Sequence, residues 1–368
     1  MKVIFAGGGT GGHINPALSV ANYMKEIDDN FEALFIGTKR GLEKKLVPMA
    51  GYDIEYIDIE GFDRRNLFNN FRVIKKLISS RKKCRDIIKK FKPDAVVCTG
   101  GYVSGPVIMA AHKLNIPSII HEQNVYPGLT VKGSQRYADY IAVSFLETLN
   151  HMDNADKCVV TGNPVREELK NKDYSEARAE LGLSDKPFVL VFGGSLGADR
   201  INNTIIDIIP KIVNDNKIDL MFGTGERNYE KVMSALGDIK LGDNVKIVPY
   251  INNMHTVMAA ADLVVSRSGA IASSEIAILK KPSILIPSPN VVRNHQEQNA
   301  REFEAKGASV VIVEPELSGD VLYNKINELV LDKQKLKTMG ENAKKLAKPD
   351  ALPLIYDTVM KAVNNKRK

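Results

Sequence analysis

Val3-Ile4-Phe5-Ala6-Gly7-Gly8-Gly9-Thr10-Gly11-Gly12-His13 decides the fold. A short apolar run ends in a glycine cluster, and Pro16-Ala17-Leu18-Ser19-Val20-Ala21 then opens a helix-compatible segment. This is the order strand, tight turn, helix. Glycines let backbone N–H groups approach an anion closely, and a helix N-terminus favours negative charge. Gly7, Gly9 and Gly12 satisfy G-x-G-x-x-G, but a dinucleotide fold also needs an acid at the end of its second strand. The second strand, Ala33–Ile36, runs into Gly37-Thr38-Lys39-Arg40, with no acid. A nicotinamide cofactor is therefore set aside, and a phosphate-facing loop is expected.

The pattern continues outward. Lys2–Ala6, Ala33–Ile36, Ala95–Cys98, Ser118–Ile120 and Tyr140–Val143 read as strands with helical stretches between them, which predicts a parallel sheet with crossover helices. Thr99-Gly100-Gly101 is a second glycine turn, and His121-Glu122-Gln123-Asn124 directly follows a strand. Thr161-Gly162-Asn163-Pro164-Val165-Arg166 reads as a boundary, after which the grammar restarts with Phe188–Phe192, Gly193-Gly194-Ser195 and a helix through Ile201–Val213. Further strands are expected at Asp219–Gly223, Val245–Val248, Leu263–Ser266, Ser283–Ile286 and Ser309–Val313. The prediction is an α/β chain of two Rossmann-like domains facing a central cleft. Their bounds are 1–163 and 164–348, followed by a C-terminal helix that packs back towards the first domain and a frayed basic tail.

Composition agrees. A chain of 368 residues, 44% hydrophobic and 26% charged, fits a two-domain globular enzyme. Cys84, Cys98 and Cys158 lack metal or redox spacing, which suits a reducing compartment. The first apolar run breaks at Gly7, too early for a signal peptide, and no run is long enough to span a membrane. The net charge of +7 is uneven: from Arg64 to Lys92 there are 12 basic residues against one acid, Asp86. Such a patch suits an anionic membrane or a nucleic acid. Leu67, Phe68, Phe71, Ile74, Leu77 and Ile78 recur there at helical spacing, with Lys75 and Lys76 among the cations. Apolar residues rimmed by cations favour the membrane, and no nucleic-acid motif accompanies them.

Three segments carry chemistry. Ser266-Arg267-Ser268-Gly269-Ala270 leads from a strand into a helix of small residues, where a diphosphate can approach. Glu275, one turn in, either holds ribose hydroxyls or complements the helix dipole; Ala272 rules out a capping box. Arg293-Asn294-His295-Gln296 gathers side chains able to read sugar hydroxyls, or to start a solvated helix. His13 is placed as a general base or a phosphate donor. His121 and Glu122 are adjacent in an extended segment, which points them to opposite faces. No Asp-x-Asp occurs, so leaving-group charge falls to backbone N–H groups, helix dipoles and Arg166.

In order along the whole chain, Gly8–His13 with Asn15-Pro16-Ala17, His121–Asn124, Gly162–Arg166, Gly193–Ser195, Ser266–Glu275 and His295-Gln296 resemble the MurG family of bacterial peptidoglycan glycosyltransferases, which have the GT-B fold. The resemblance implies an inverting transfer of N-acetylglucosamine from UDP-N-acetylglucosamine to the C4 hydroxyl of the MurNAc of lipid I, giving lipid II. It implies no cofactor and no required metal, a peripheral position on the cytoplasmic face of the cell membrane, and no nucleic-acid partner. Carried over by position, donor contacts come from Thr10, Gly11, Gly12, Asn124, Arg166, Ser195, Ile251, Ala270, Ile271, Ala272, Ser273, Ser274, Glu275, His295 and Gln296. His13 is the base, with Tyr102 and Asn124 on the acceptor side. Leu196 and His295 depart from the glutamines common at those places. The competing readings are another GT-B enzyme on a UDP-sugar, including a lipid transferase or an epimerase, and a non-catalytic nucleotide-binding module on a membrane.

Overall fold

The computed structural model describes residues 1–61, 70–165, 167–170, 172–194 and 197–367. The chain divides into two compact units, Met1–Val165 with Lys348–Lys368, and Arg166–Ala347.

The first unit runs β1 (Lys2–Gly7), α1 (Gly11–Ile27), β2 (Glu32–Gly37), α2 (Glu43–Met49), β3 (Asp53–Tyr56), α3 (Asn70–Phe91), β4 (Ala95–Gly100), α4 (Ser104–Lys113), β5 (Ser118–Glu122), α5 (Leu129–Ser134), β6 (Tyr140–Val143) and β7 (Cys158–Val160). The second runs α6 (Tyr174–Leu181), β8 (Phe188–Phe192), α7 (Asp199–Asp215), β9 (Asp219–Gly223), α8 (Tyr229–Leu236), β10 (Val245–Val248), α9 (Met254–Ala260), β11 (Leu263–Ser266), α10 (Ala270–Ile278), β12 (Ser283–Leu285), α11 (His295–Ala305), β13 (Ser309–Val311), α12 (Gly319–Leu331) and α13 (Lys333–Leu346). The last helix, α14 (Ala351–Arg367), returns to the first unit.

The first sheet is parallel throughout, in the order β3-β2-β1-β4-β5-β6-β7. Its central strands are apolar on both faces because helices cover both. Ile4, Ala6, Val96 and Cys98 face the side of α3 and α4, with Ile88 and Val107. Val3, Phe5, Phe35 and Val97 face α1 and α14, with Ile14, Val20, Leu352, Ile355 and Val359. Strand order reverses between β1 and β4, which leaves a crevice at their carboxyl ends. There the register slips: Ala6 pairs Cys98 but Gly7 pairs Gly100. The extra residue is Thr99, and such an irregularity re-aims a strand end.

The second sheet, also parallel, has the order β10-β9-β8-β11-β12-β13, with its reversal between β8 and β11. The isoleucines of α7, Ile201, Ile205, Ile208, Ile209 and Ile212, cover one face at helical spacing.

Two strands were absent from the sequence reading. β3 and β7 lie at the two edges of the first sheet: β3 alternates polar and apolar residues over four positions, and β7 is an apolar run of only three. The expected frayed tail is instead helical through Arg367. Asn365 donates to the Tyr140 hydroxyl at 2.7 Å, and Lys366 pairs with Asp139 at 3.0 Å.

Candidate active site

The first unit brings its candidate residues together where β1, β4 and β5 end. The expected phosphate-facing loop is only partly open. Gly9 N–H donates at 2.9 Å to Oε2 of Glu43, a carboxylate with no exposed surface. Oε1 of Glu43 accepts from the Thr38 N–H at 2.9 Å and the Thr38 hydroxyl at 2.8 Å. The loop thus holds an anion of its own, and Gly9 is occupied by it. Thr10 caps α1 with no side-chain hydrogen bond, and the first turn of α1 has no acid. The anion-favouring end that remains is therefore Thr10, Gly11 and Gly12. Gly101, with φ of 76°, sits so close to Gly8 that a Cβ would meet its carbonyl oxygen at 2.4 Å. The two glycine turns pack backbone on backbone.

His13, half-buried in α1, directs Nδ1 at the Thr99 carbonyl, 3.1 Å away, and at Gln123 Oε1, 3.2 Å away. Gly100, with φ of 110°, lies behind the ring, where a Cβ would come within 2.5 Å of Nδ1. His121 is buried, and its Nε2 lies 3.0 Å from the Gly162 carbonyl. Burial lowers its imidazole to about 4, against the opposing pull of that carbonyl, so it is neutral at pH 7. Glu122 has different partners: it accepts from the Asn124 N–H, Asn124 Nδ2 and the Gly128 N–H, and so shapes the loop that carries Asn124. Burial raises its carboxyl, while these N–H groups pull the other way. Tyr102 is exposed, with its ring against Gly61.

The second unit gathers its residues at the ends of β8, β11 and β12. α10 starts at Gly269 with no side-chain cap and no acid in its first turn, whereas Asp173, Ser318 and Asp332 cap α6, α12 and α13. An uncapped N-terminus keeps its N–H groups for an anion. Ala270, Ile271, Ala272, Ser273 and Ser274 form its first turns, and among the described residues the buried Ser273 hydroxyl has no hydrogen-bond partner. Glu275 follows and is largely buried. Ser268 Oγ donates to the Gln296 carbonyl at 2.7 Å, and the Ser288 N–H donates to Gln296 Oε1 at 2.9 Å. This ties the start of α11, with His295 and Gln296, to the β11 loop. Ile251 is buried against Gly223. Arg166 and Ser195 lie outside the described residues.

A cavity of about 450 Å³ at this end of the sheet is lined by Arg200, Arg227 and Arg267 with Asn228, Asn290 and Glu314. Arg267 pairs with Glu314. Sequence reading passed over Arg200 and Arg227, which lie in ordinary helix and turn segments. Only the sheet topology brings them beside Arg267.

Residues 3–143 match the glycosyltransferase family 28 N-terminal domain, and residues 188–355 match the C-terminal domain of that family. A UDP-N-acetylglucosamine--N-acetylmuramyl-(pentapeptide) pyrophosphoryl-undecaprenol N-acetylglucosamine transferase from Acetivibrio thermocellus is 45% identical, over 100% of this chain and 99% of its own. The chain belongs to glycosyltransferase family 28. The protein with the same description from Clostridioides difficile is 41% identical, over 100% of this chain and 90% of its own. Among solved structures, MurG of Acinetobacter baumannii is similar with a TM-score of 0.78 and 27% identity, covering 98% of this chain and 99% of that one. Each unit accordingly has the parallel-sheet build of the GT-B fold seen in this family. A UDP-GlcNAc 2-epimerase from Neisseria meningitidis has a TM-score of 0.65 at 14% identity, a likeness of fold alone.

In the membrane segment, Leu67 and Phe68 lie outside the described residues, as does the Phe71 side chain. Ile74 and Ile78 on α3 are 44% and 63% exposed, and Lys75 is exposed beside them. Lys76 differs from expectation: it pairs with Glu60 at 2.7 Å and Asp58 at 2.9 Å. Lys76, Arg40 and Arg72 together hold the Glu60 carboxyl down at about 2. Lys76 is thus a paired cation, held by two acids of the segment that follows β3. Among the described residues no helix is long and apolar enough to cross a membrane.

Proposed function

We propose that this chain transfers N-acetylglucosamine from UDP-N-acetylglucosamine to the C4 hydroxyl of the MurNAc of lipid I, producing lipid II and UDP with inversion at the anomeric carbon. The observation that carries this reading is 45% identity, end to end, to a relative named for that transfer.

The acceptor hydroxyl oxygen attacks C1 of the donor sugar, the bond from C1 to the diphosphate oxygen breaks, and the hydroxyl proton passes to His13. The charge that develops on UDP is met by the start of α10, Arg166 and the Ser195 turn. Glu275 holds the ribose hydroxyls, Ile251 meets uracil through its backbone, and Gln296 with His295 reads the sugar. Tyr102 and Asn124 serve the acceptor. The exposed Ile74 and Ile78, with Lys75, support docking of the first unit on an anionic membrane surface, which places the enzyme where a lipid-linked acceptor is held.

The test is release of UDP from UDP-N-acetylglucosamine with and without a lipid I analogue. Acceptor-dependent release with formation of a disaccharide is the expected result. Conversion of the donor to another sugar nucleotide without acceptor would overturn it.

A further inference from the structure

We propose that Gln123 is a positioning residue for the transfer: it fixes the orientation and tautomer of His13, so that the basic lone pair of the ring sits on Nε2. The proposal rests on the reading of His13 as the base. Gln123 is 3% exposed. Its Nε2 faces three acceptors: the Thr99 carbonyl at 2.8 Å, His121 Nδ1 at 2.9 Å and the His121 carbonyl at 3.0 Å. The amide NH2 end is the only end that can donate to them, so Oε1 must point at His13. His13 Nδ1 then confronts two acceptors, Gln123 Oε1 and the Thr99 carbonyl. Neither can donate, so Nδ1 carries the proton, and a neutral imidazole keeps its lone pair on the other nitrogen.

His121 secures the amide from the far side. Its Nε2 faces the Gly162 carbonyl and donates to it, which leaves Nδ1 to accept from Gln123. An amide in this place differs from the carboxylate of a Ser-His-Asp triad. It orients the ring, and its bond strengthens when His13 takes the proton, yet it adds no negative charge that would make the ring bind that proton too tightly to release.

The test compares wild type with Gln123→Met, Gln123→Glu and His13→Ala, assayed with UDP-N-acetylglucosamine and a lipid I analogue. Imidazole nitrogen shifts of 15N-histidine-labelled wild-type protein are recorded alongside. Wild-type His13 should be protonated at Nδ1. Gln123→Met keeps the volume and loses both polar ends, so kcat should fall about tenfold or more, because His13 keeps only the Thr99 carbonyl at Nδ1 and its ring is no longer held from the Gln123 side. KM for UDP-N-acetylglucosamine should stay within about twofold, since the change removes orientation and not donor binding. Gln123→Glu, whose protonated carboxyl can reproduce both ends, should recover part of the lost kcat. A wild-type His13 protonated at Nε2 overturns the proposal, whether or not any variant folds. So does a Gln123→Met enzyme with unchanged kcat while His13→Ala is inactive. If both variants keep kcat, the base reading itself has failed.

Discussion

The N–H of Gly9 donates to the Glu43 carboxylate, so the first glycine turn is folded around an anion supplied by its own chain. Glu43 comes six residues after the end of β2, close to where a dinucleotide fold keeps its ribose-binding acid, but it turns inward. The glycines around it make room. A Cβ on Gly8 or Gly41 would meet its oxygens at 2.9 Å and 2.0 Å, and one on Gly37 would meet its Cγ at 2.6 Å.

Replacing Glu43 with alanine should leave the Thr38 N–H and hydroxyl, in a half-buried residue, and the Gly9 N–H without the acceptor they share. A cost of about 1–3 kcal/mol for each group that cannot reach water predicts a clear fall in thermal midpoint. The proposed nucleoside contacts, Glu275 and Ile251, lie in the second unit, so a loss of UDP affinity measured on folded protein would point to Thr10, Gly11 and Gly12, the expected donor contacts beside Gly9. Glu43→Ala with wild-type stability would show that the carboxylate is dispensable.

Glu275 is the next test. A carboxylate accepting from ribose hydroxyls contributes about 1.5–3 kcal/mol, so Glu275→Ala should weaken UDP binding by roughly 10- to 150-fold by calorimetry. The bond belongs to the nucleoside, so UDP and UDP-N-acetylglucosamine should lose affinity equally. Unchanged affinity would remove the ribose role from Glu275.

His121 gives the pH dependence. Its folded value, about 4, lies below the ordinary 6.5, so the unfolded chain binds the proton more readily. The stability this residue contributes is therefore complete above about pH 6.5 and is lost as pH falls towards 4, by on the order of 3 kcal/mol. His121→Asn should be less stable than wild type at pH 7.5 and should lose less of its remaining stability between pH 7 and 5. Parallel curves of thermal midpoint against pH would exclude His121 as the source.

How much of this was legible from sequence depends on the range of each interaction. Tyr140–Val143, Phe188–Phe192 and Asp219–Gly223 are strands with the bounds expected, because buried parallel strands are continuous apolar runs. The small-residue turn from β11 into α10 was visible for the same local reason: Ser266, Ser268, Gly269 and Ala270 lie close together in sequence. The partners of His13 were not visible. Thr99 lies 86 residues away and Gln123 lies 110 residues away, and only the pairing of β1 with β4 and of β4 with β5 brings them to one place. The inward turn of Glu43 and the capture of Lys76 by Glu60 are likewise tertiary. A charge in a sequence does not say whether it faces solvent or another charge.

The proposed membrane contact is tested through that distinction. On α3, Val73, Cys84, Ile87 and Ile88 are buried, and Leu77 packs against the same core, so these residues hold the helix on the sheet. Ile74 and Ile78 lie one turn apart on the outer side, with Lys75, Arg81 and Lys82 exposed near them. An Ile74→Ser/Ile78→Ser variant should fold normally, because neither side chain belongs to the core, but should co-sediment less with vesicles containing anionic lipid. Each exposed cation near such a surface contributes about 1 kcal/mol and is screened by salt, so Lys75→Ala and Lys82→Ala should also weaken binding, most at low ionic strength. Lys76→Ala should behave differently. It removes a cation held by Glu60 and Asp58, with Glu60 shared by Arg40 and Arg72, so vesicle binding should fall less than for Lys75→Ala while the thermal midpoint falls. Equal vesicle binding by wild type and the double isoleucine variant would place the membrane contact elsewhere on the chain.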